Sequence, residues 1–171
     1  VLAGRSAPDA HAIAVLDALR AAGANVTIIA ADVSSVGGVQ RIMNCLNEGK
    51  TAPAGVFHCA GVLDDGVLDR QTAARFAAVM GPKADGAWLL HHAMVRQNYR
   101  PDLFVLYSSM ASIFGSPGQG NYVAANAFLD ALTHYRQSQG MSALSINWGP
   151  WKQTGKAVRG STLARAGAQG M

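Results

Sequence analysis

The chain has little charge. Only 14% of its 171 residues are Asp, Glu, Lys or Arg, while 50% are hydrophobic. That balance excludes a disordered chain and leaves ample material for a core. The formal net charge is a mild +4, and the arginines are scattered along the sequence. Without a basic cluster on one element, a nucleic-acid-binding surface is not expected. Cysteine is scarce too: Cys45 and Cys59 lie in separate expected elements with no metal-ligand spacing. We read both as reduced and buried, with no disulfide framework and no zinc site. His91 and His92 are adjacent, so they face different sides of a helix and make a poor metal pair. No apolar run approaches the ~18 residues of a membrane span. No basic-then-apolar leader opens the chain, and a cytoplasmic location is the default expectation. The absence of Gly-x-Ser-x-Gly argues against a serine hydrolase. No Gly-x-Gly-x-x-Gly turn occurs either; Gly115-x-x-Gly118-x-Gly120 comes nearest, with the wrong spacing.

What is present alternates. Val1 to Gly4 reads as a strand caught near its end, and Ser6, Pro8 and Asp9 are helix-start residues. Ile13, Leu16 and Leu19 carry the first helix to Gly23. Asn25 to Ala31 is a second strand, stopped by Asp32. Ser34 or Ser35 caps the next helix, whose stripe is Val36, Val39, Ile42, Met43 and Leu46. After a turn from Gly49 to Pro53 comes a third strand, Gly55 to Cys59. Two helices, Asp69 to Met80 and Lys83 to Gln97, are separated by Gly81-Pro82. A final strand runs from Ala143 to Trp148, and the tail from Lys152 to Met171 carries little apolar pattern. Strands alternating with amphipathic helices predict an α/β fold, a doubly wound parallel sheet, formed by residues 1–171 as one unit.

The stretch from Leu103 to Asp130 organises the rest. Leu103 to Tyr107 is a buried strand, and it breaks at Ser108-Ser109 into a loop from Gly115 to Gly120. From Asn121 a helix follows, with Val123, Phe128, Leu129, Leu132 and Tyr135 as its apolar side. A strand ending in serine and feeding a helix with an early tyrosine places two hydroxyls at the carboxyl edge of the sheet, where ligands bind. Tyr122 and Asn126 are four apart and share a helix face. From spacing alone, a plain structural role remains open: a tyrosine near a helix start, a serine ending a strand and Lys83 as a solvated helix-start lysine.

Ser109, Tyr122 and Asn126 resemble the catalytic set of short-chain dehydrogenases/reductases. The segment SSMASIFGSPGQGNYVAANAFLDAL is more narrowly similar to the ketoreductase domain of a modular polyketide synthase. The wider family has Tyr-x-x-x-Lys, and here Asn126 holds the lysine position. That departure is the ketoreductase pattern, in which the lysine sits on an upstream helix; Lys83 in GPKADGAWLLH matches it.

The resemblance implies a Rossmann-like fold that uses NADPH to reduce a β-ketoacyl thioester to a D-β-hydroxyacyl thioester in polyketide biosynthesis. Tyr122 would be the general acid. A phenol with an ordinary pKa near 10 donates readily only when a cation such as Lys83 favours its phenolate. Ser109 would bind the substrate oxygen and Asn126 would hold the proton relay. Arg5, beside Ser6, ends a strand where an arginine can accept the 2′-phosphate of NADP, or it is a surface residue. Asp32-Val33 would contact adenine, although Asp32 could equally be a helix-entry cap. Cys59-Ala60-Gly61 would pass the nicotinamide ribose, and Lys83 and Tyr122 would also face the cofactor.

Leu63-Asp64-Asp65 resembles the signature of domains giving the D-configured product, or it is a solvated turn. Pro117 and Asn121 fit the same type, and Phe114 stands where the opposite type has tryptophan. The partners implied are an acyl carrier protein bearing a phosphopantetheine-tethered chain and other domains of one multifunctional polypeptide. Alternatives are the equivalent domain of a fatty acid synthase and a non-catalytic reductase-fold scaffold. Aligned this way, Val1 falls in the family's second strand. The first strand with its glycine loop would lie upstream, and the last strand beyond Met171.

Overall fold

The computed structural model describes residues 1–49 and 52–151. In chain order it comprises β1 (Leu2–Gly4), α1 (Ala10–Ala21), β2 (Ile28–Ala30), α2 (Val36–Glu48) and β3 (Gly55–His58). These are followed by α3 (Ala73–Met80), α4 (Gly86–Arg96), β4 (Leu103–Ser109), α5 (Ala111–Phe114), α6 (Gly120–Ser138) and β5 (Leu144–Trp148). Parallel neighbours require crossover connections, and the helices supply them. β1 pairs with β2, and β3, β4 and β5 form a second parallel sheet in that order. Among the described residues β1 and β3 do not pair, so the strands fall into two separate half-sheets. None of the described helices is long and apolar enough to cross a membrane.

β4 is the centre. Phe104, Val105 and Leu106 are all buried, as a strand covered on both faces requires. Around it pack Val39, Ile42 and Met43 of α2, Leu90 and Met94 of α4, and Leu129 and Leu132 of α6. Helix starts follow their capping residues. Asp9 accepts from the Ala12 N–H at 2.8 Å, Ser35 from Gly38 at 3.0 Å and Thr72 from Arg75 at 3.3 Å.

Several sequence expectations change. The second strand is only Ile28–Ala30, because β1 offers three partners. Val36 lies in the first turn of α2, beside its Ser35 cap, and is exposed. The helix expected from Asp69 is a short 3-10 turn, Leu68–Arg70, and α3 begins afresh after the Thr72 cap. Gly81-Pro82 does not interrupt the next helix. Residues Gly81–Asp85 form a π turn that joins α3 to α4 without a break; Pro82 lacks the N–H that a regular helix would donate to the Ala78 carbonyl, and the wider turn accommodates that missing bond. α5 was not expected.

On α6, Tyr135 is exposed and Arg136 is buried instead. The Arg136 guanidinium lies 3.8 Å from the Phe104 ring centroid and donates to the Ser142 carbonyl and His91 Nδ1, so a long stem takes a core position. Cys45 is half-buried and Cys59 exposed, both as free thiols. The turn residues 50–51 and the tail from Lys152 lie outside the described residues.

Candidate active site

Ser109 is the last residue of β4, and both of its sheet neighbours end nearby. The strand ends there because the chain turns into α5, with the Ala111 N–H donating to Ser109 Oγ at 3.2 Å. A hydroxyl that accepts from the backbone keeps its own proton for another acceptor. Tyr122 stands in the first turn of α6, half-buried. One turn on, Asn126 is fully buried, and its amide donates to the Tyr122 carbonyl at 2.7 Å. Among the described residues, Asn126 Oδ1 is buried and accepts from no protein group. Buried polar atoms are rarely left so.

Lys83 comes to the same place from the π turn. Its side chain is buried, Nζ donates to the Tyr107 carbonyl of β4 at 2.7 Å, and Nζ lies 5.5 Å from the Tyr122 ring centroid. A π turn re-aims side chains relative to a regular helix, and here it turns an ammonium inward under the tyrosine. Lys83 thus lies beside Tyr122 near the end of β4, where Ser109 sits, with Asn126 one turn along α6.

The Leu63-Asp64-Asp65 loop is half-buried and firmly held. Asp64 pairs with Arg75 of α3, and the same guanidinium donates to the Asp65 carbonyl. Asn121 donates to the Asp64 carbonyl at 2.8 Å while accepting from the Tyr122 N–H at 2.8 Å. Gln119 donates to the Asp65 carboxylate at 3.0 Å, and the Gly66 N–H to the Gly118 carbonyl at 2.7 Å. Gly118 adopts φ 74°, a conformation that suits glycine. The loop is therefore stitched to the start of the helix that carries Tyr122. Pro117 and Phe114 are exposed beside it.

The groups expected to hold a cofactor sit at strand ends. Arg5 and Ser6, both exposed, follow β1, and Asp32 and Val33 follow β2. Asp32 Oδ1 accepts from the Ser34 N–H at 3.0 Å and the Ser34 hydroxyl at 2.6 Å. These two bonds, with the Arg5 charge adding a little, hold its carboxyl below the usual range against the cost of burial. Asp32 is thus a turn residue just ahead of the Ser35 cap. Cys59, Ala60 and Gly61 follow β3. A Cβ on Gly61 would come within 3.0 Å of Lys83 Cε, so the backbone passes close over the lysine.

The family model of the KR domain matches residues 1–153. The chain belongs to the KR domain family. The phenolphthiocerol synthesis polyketide synthase type I Pks15/1 of Mycobacterium marinum is 44% identical over 156 residues, covering 91% of this chain and 7% of that protein. Polyketide synthase GfsB of Streptomyces halstedii is also 44% identical over 156 residues, which are 91% of this chain and 3% of that one. The chain therefore spans a small part of these relatives. A solved structure of A-type ketoreductases from a modular polyketide synthase superposes with a TM-score of 0.87 at 36% identity, over 96% of this chain and 34% of that one. A ketoreductase domain from the bacillaene assembly line gives 0.83 at 31%, over 90% and 38%. The expected Rossmann-like α/β fold is the fold of these ketoreductases.

The KR domain site also contains residues that sequence reasoning passed over. His58 ends β3, is buried, and donates from Nε2 to the Lys83 carbonyl at 3.0 Å. Burial pushes its imidazole down to about 4, so it is neutral at ordinary pH. Arg75 and Gln119 hold the aspartate loop. Asp130 and Asn147 lie behind Ser109. Only Asp130 left a sequence signal: it continues the four-residue spacing of Tyr122 and Asn126.

Proposed function

We propose that this KR domain catalyses the NADPH-dependent reduction of a β-ketoacyl thioester, carried by phosphopantetheine on an acyl carrier protein, to a D-β-hydroxyacyl thioester. The observation that carries this reading is the convergence of Ser109, Tyr122, Asn126 and a buried Lys83 on one sheet edge. The cofactor, when bound, supplies hydride to the carbonyl carbon. Ser109 Oγ, already accepting from Ala111, directs its proton to the carbonyl oxygen and stabilises the charge that develops there. Tyr122 gives that oxygen its proton, and the Lys83 ammonium stabilises the phenolate left behind. Asn126 Oδ1, which accepts from no protein group among the described residues, would accept from a water that returns a proton to Tyr122.

The residues present suit the two ends of an NADPH, the 2′-phosphate and the nicotinamide ribose. Arg5 presents a guanidinium at the β1 edge, and the nearby carboxylate, Asp32, is engaged with Ser34 rather than poised for a ribose. Cys59-Ala60-Gly61 offers backbone close to Lys83. The Leu63-Asp64-Asp65 loop, Pro117, Asn121 and the lack of tryptophan at Phe114 favour the D product, and the loop's bonds to Asn121 and Gln119 let it shape the approach to Tyr122. The other domains of a multifunctional synthase would deliver and take the carrier. The test uses the full-length chain with a β-ketoacyl carrier-protein substrate. Chiral analysis should show the D-configured alcohol, and Arg5→Asp should depress NADPH use far more than NADH use. An L-configured product removes the loop from stereocontrol, and equal losses with both cofactors remove Arg5 from the site.

A further inference from the structure

Asp130 lies on α6 one turn beyond Asn126 and two beyond Tyr122. Its carboxylate gathers two elements, α5 and β5, onto α6. Oδ1 accepts from the Ser145 hydroxyl of β5; Oδ2 accepts from the Ser112 hydroxyl of α5 at 2.6 Å and from the Asn147 amide of β5 at 3.0 Å. No ion pair involves it among the described residues. Burial works against its charge, but the hydrogen bonds from Ser112, Ser145 and Asn147 outweigh that and hold its carboxyl below the usual range.

Two of those donors also face the Ser109 carbonyl: Ser112 Oγ at 2.8 Å and Asn147 Nδ2 at 3.3 Å. Asn147 Nδ2 further lies 2.9 Å from Ser112 Oγ and 3.3 Å from Ser108 Oγ, whose hydroxyl donates to the Asn126 carbonyl at 3.2 Å. A serine hydroxyl has one proton to give. A charged acceptor wins it, because charge-assisted bonds are about twice as strong as neutral ones. The Ser112 proton then goes to Asp130, and the Asn147 amide serves the Ser109 carbonyl.

We propose that Asp130 is a positioning residue of the reduction site: together with Ser112 it orients the Asn147 amide, which holds the Ser109 carbonyl and with it the place of Ser109 Oγ relative to Tyr122, on the same helix as Asp130. The inference rests on the reduction reading above. A neutral amide at position 130 keeps the shape but lets the Ser112 hydroxyl turn to the Ser109 carbonyl and presents a donor to donors. The Ser109 carbonyl then exchanges the Asn147 amide for the Ser112 hydroxyl, and the strand end shifts with it. Small misplacements of a reacting group cost on the order of tenfold to a hundredfold in rate.

The experiment is a double-mutant cycle in the full-length chain, using Asp130→Asn, Ser109→Ala and both together. NADPH affinity and turnover of a β-ketoacyl thioester are measured for each. Asp130→Asn should lower kcat by roughly tenfold or more, with NADPH affinity unchanged, and should cost less than about twofold once Ser109 is already alanine. Ser112→Ala runs as a second arm and should show the same loss of effect in the Ser109→Ala background, even if Asp130→Asn folds poorly. Equal fold-losses with and without the Ser109 hydroxyl overturn the proposal while leaving the reduction reading intact. A wild-type chain that reduces no β-keto thioester removes the reduction reading, and this inference falls with it.

Discussion

At the scale of single residues, burial decides protonation. His58 sits at the end of β3 among groups that cannot solvate a second proton, with the Lys83 ammonium close by, and burial and that charge hold it at about 4. An unfolded chain would bind that proton near pH 6.5. Between those values the unfolded state carries more protons than the folded one, so stability falls as pH drops from about 6.5 toward 4. A shift of this size corresponds to roughly 3 kcal/mol. His91 adds to the same slope: burial first, then the adjacent Arg136 charge, lowers it to about 4. His58→Gln keeps a donor for the Lys83 carbonyl and removes one titrating group. The unfolding free energy of the variant should drop less than that of wild type between pH 7 and pH 4.5. Identical slopes would show that His58 is protonated in the folded state as readily as in the unfolded one.

At the scale of elements, the π turn does what regular helix geometry cannot. It carries Lys83 inward while α3 and α4 continue on either side. Gly86 closes it: a Cβ there would meet Val33 Cγ1 at 2.9 Å and His58 Cε1 at 3.2 Å. Gly86→Ala should destabilise the domain by about 1–3 kcal/mol through overpacking, and should also slow turnover by shifting Lys83. A variant with wild-type stability and rate would mean the turn has room to spare. The aspartate loop is a second element held from outside. Arg75→Met breaks its bonds to Asp64 and Asp65, and should give a product of mixed configuration; an unchanged D product would free Arg75 from that role.

The alternating elements were legible in the sequence because they are written in local periodicity, and the Ser109, Tyr122 and Asn126 set was legible through its family resemblance. The π turn was hidden because Gly81-Pro82 reads as a break. Its continuity comes from packing against Ser34, Val33 and His58, all distant in sequence. Arg75, Gln119 and Asn147 were hidden for the same reason: their partners lie 10 to 54 residues away.

At the scale of the molecule, the two half-sheets matter most. β1 is exposed along its whole length and Phe57 of β3 is 58% exposed, where a doubly wound fold buries both. Each large apolar side chain left in water forfeits on the order of 1.5–3 kcal/mol of burial, against roughly 5–15 kcal/mol for a whole domain. Residues 1–171 expressed by themselves should therefore be insoluble or molten and should bind NADPH weakly or not at all. A cooperative melt with tight NADPH binding would show that the half-sheets hold together unaided.

The central claim is that Tyr122, set by Ser109, Asn126 and Lys83, protonates a carbonyl oxygen as the carbon is reduced. The most direct measurement is single-turnover reduction of a β-ketoacyl carrier-protein substrate by the full-length chain, wild type against Tyr122→Phe, with NADPH binding measured on the same samples. The account expects binding to be nearly unchanged, because the ring remains, and reduction to be abolished, because the proton donor is gone. A Tyr122→Phe chain that still reduces the substrate at more than a small fraction of the wild-type rate would contradict it.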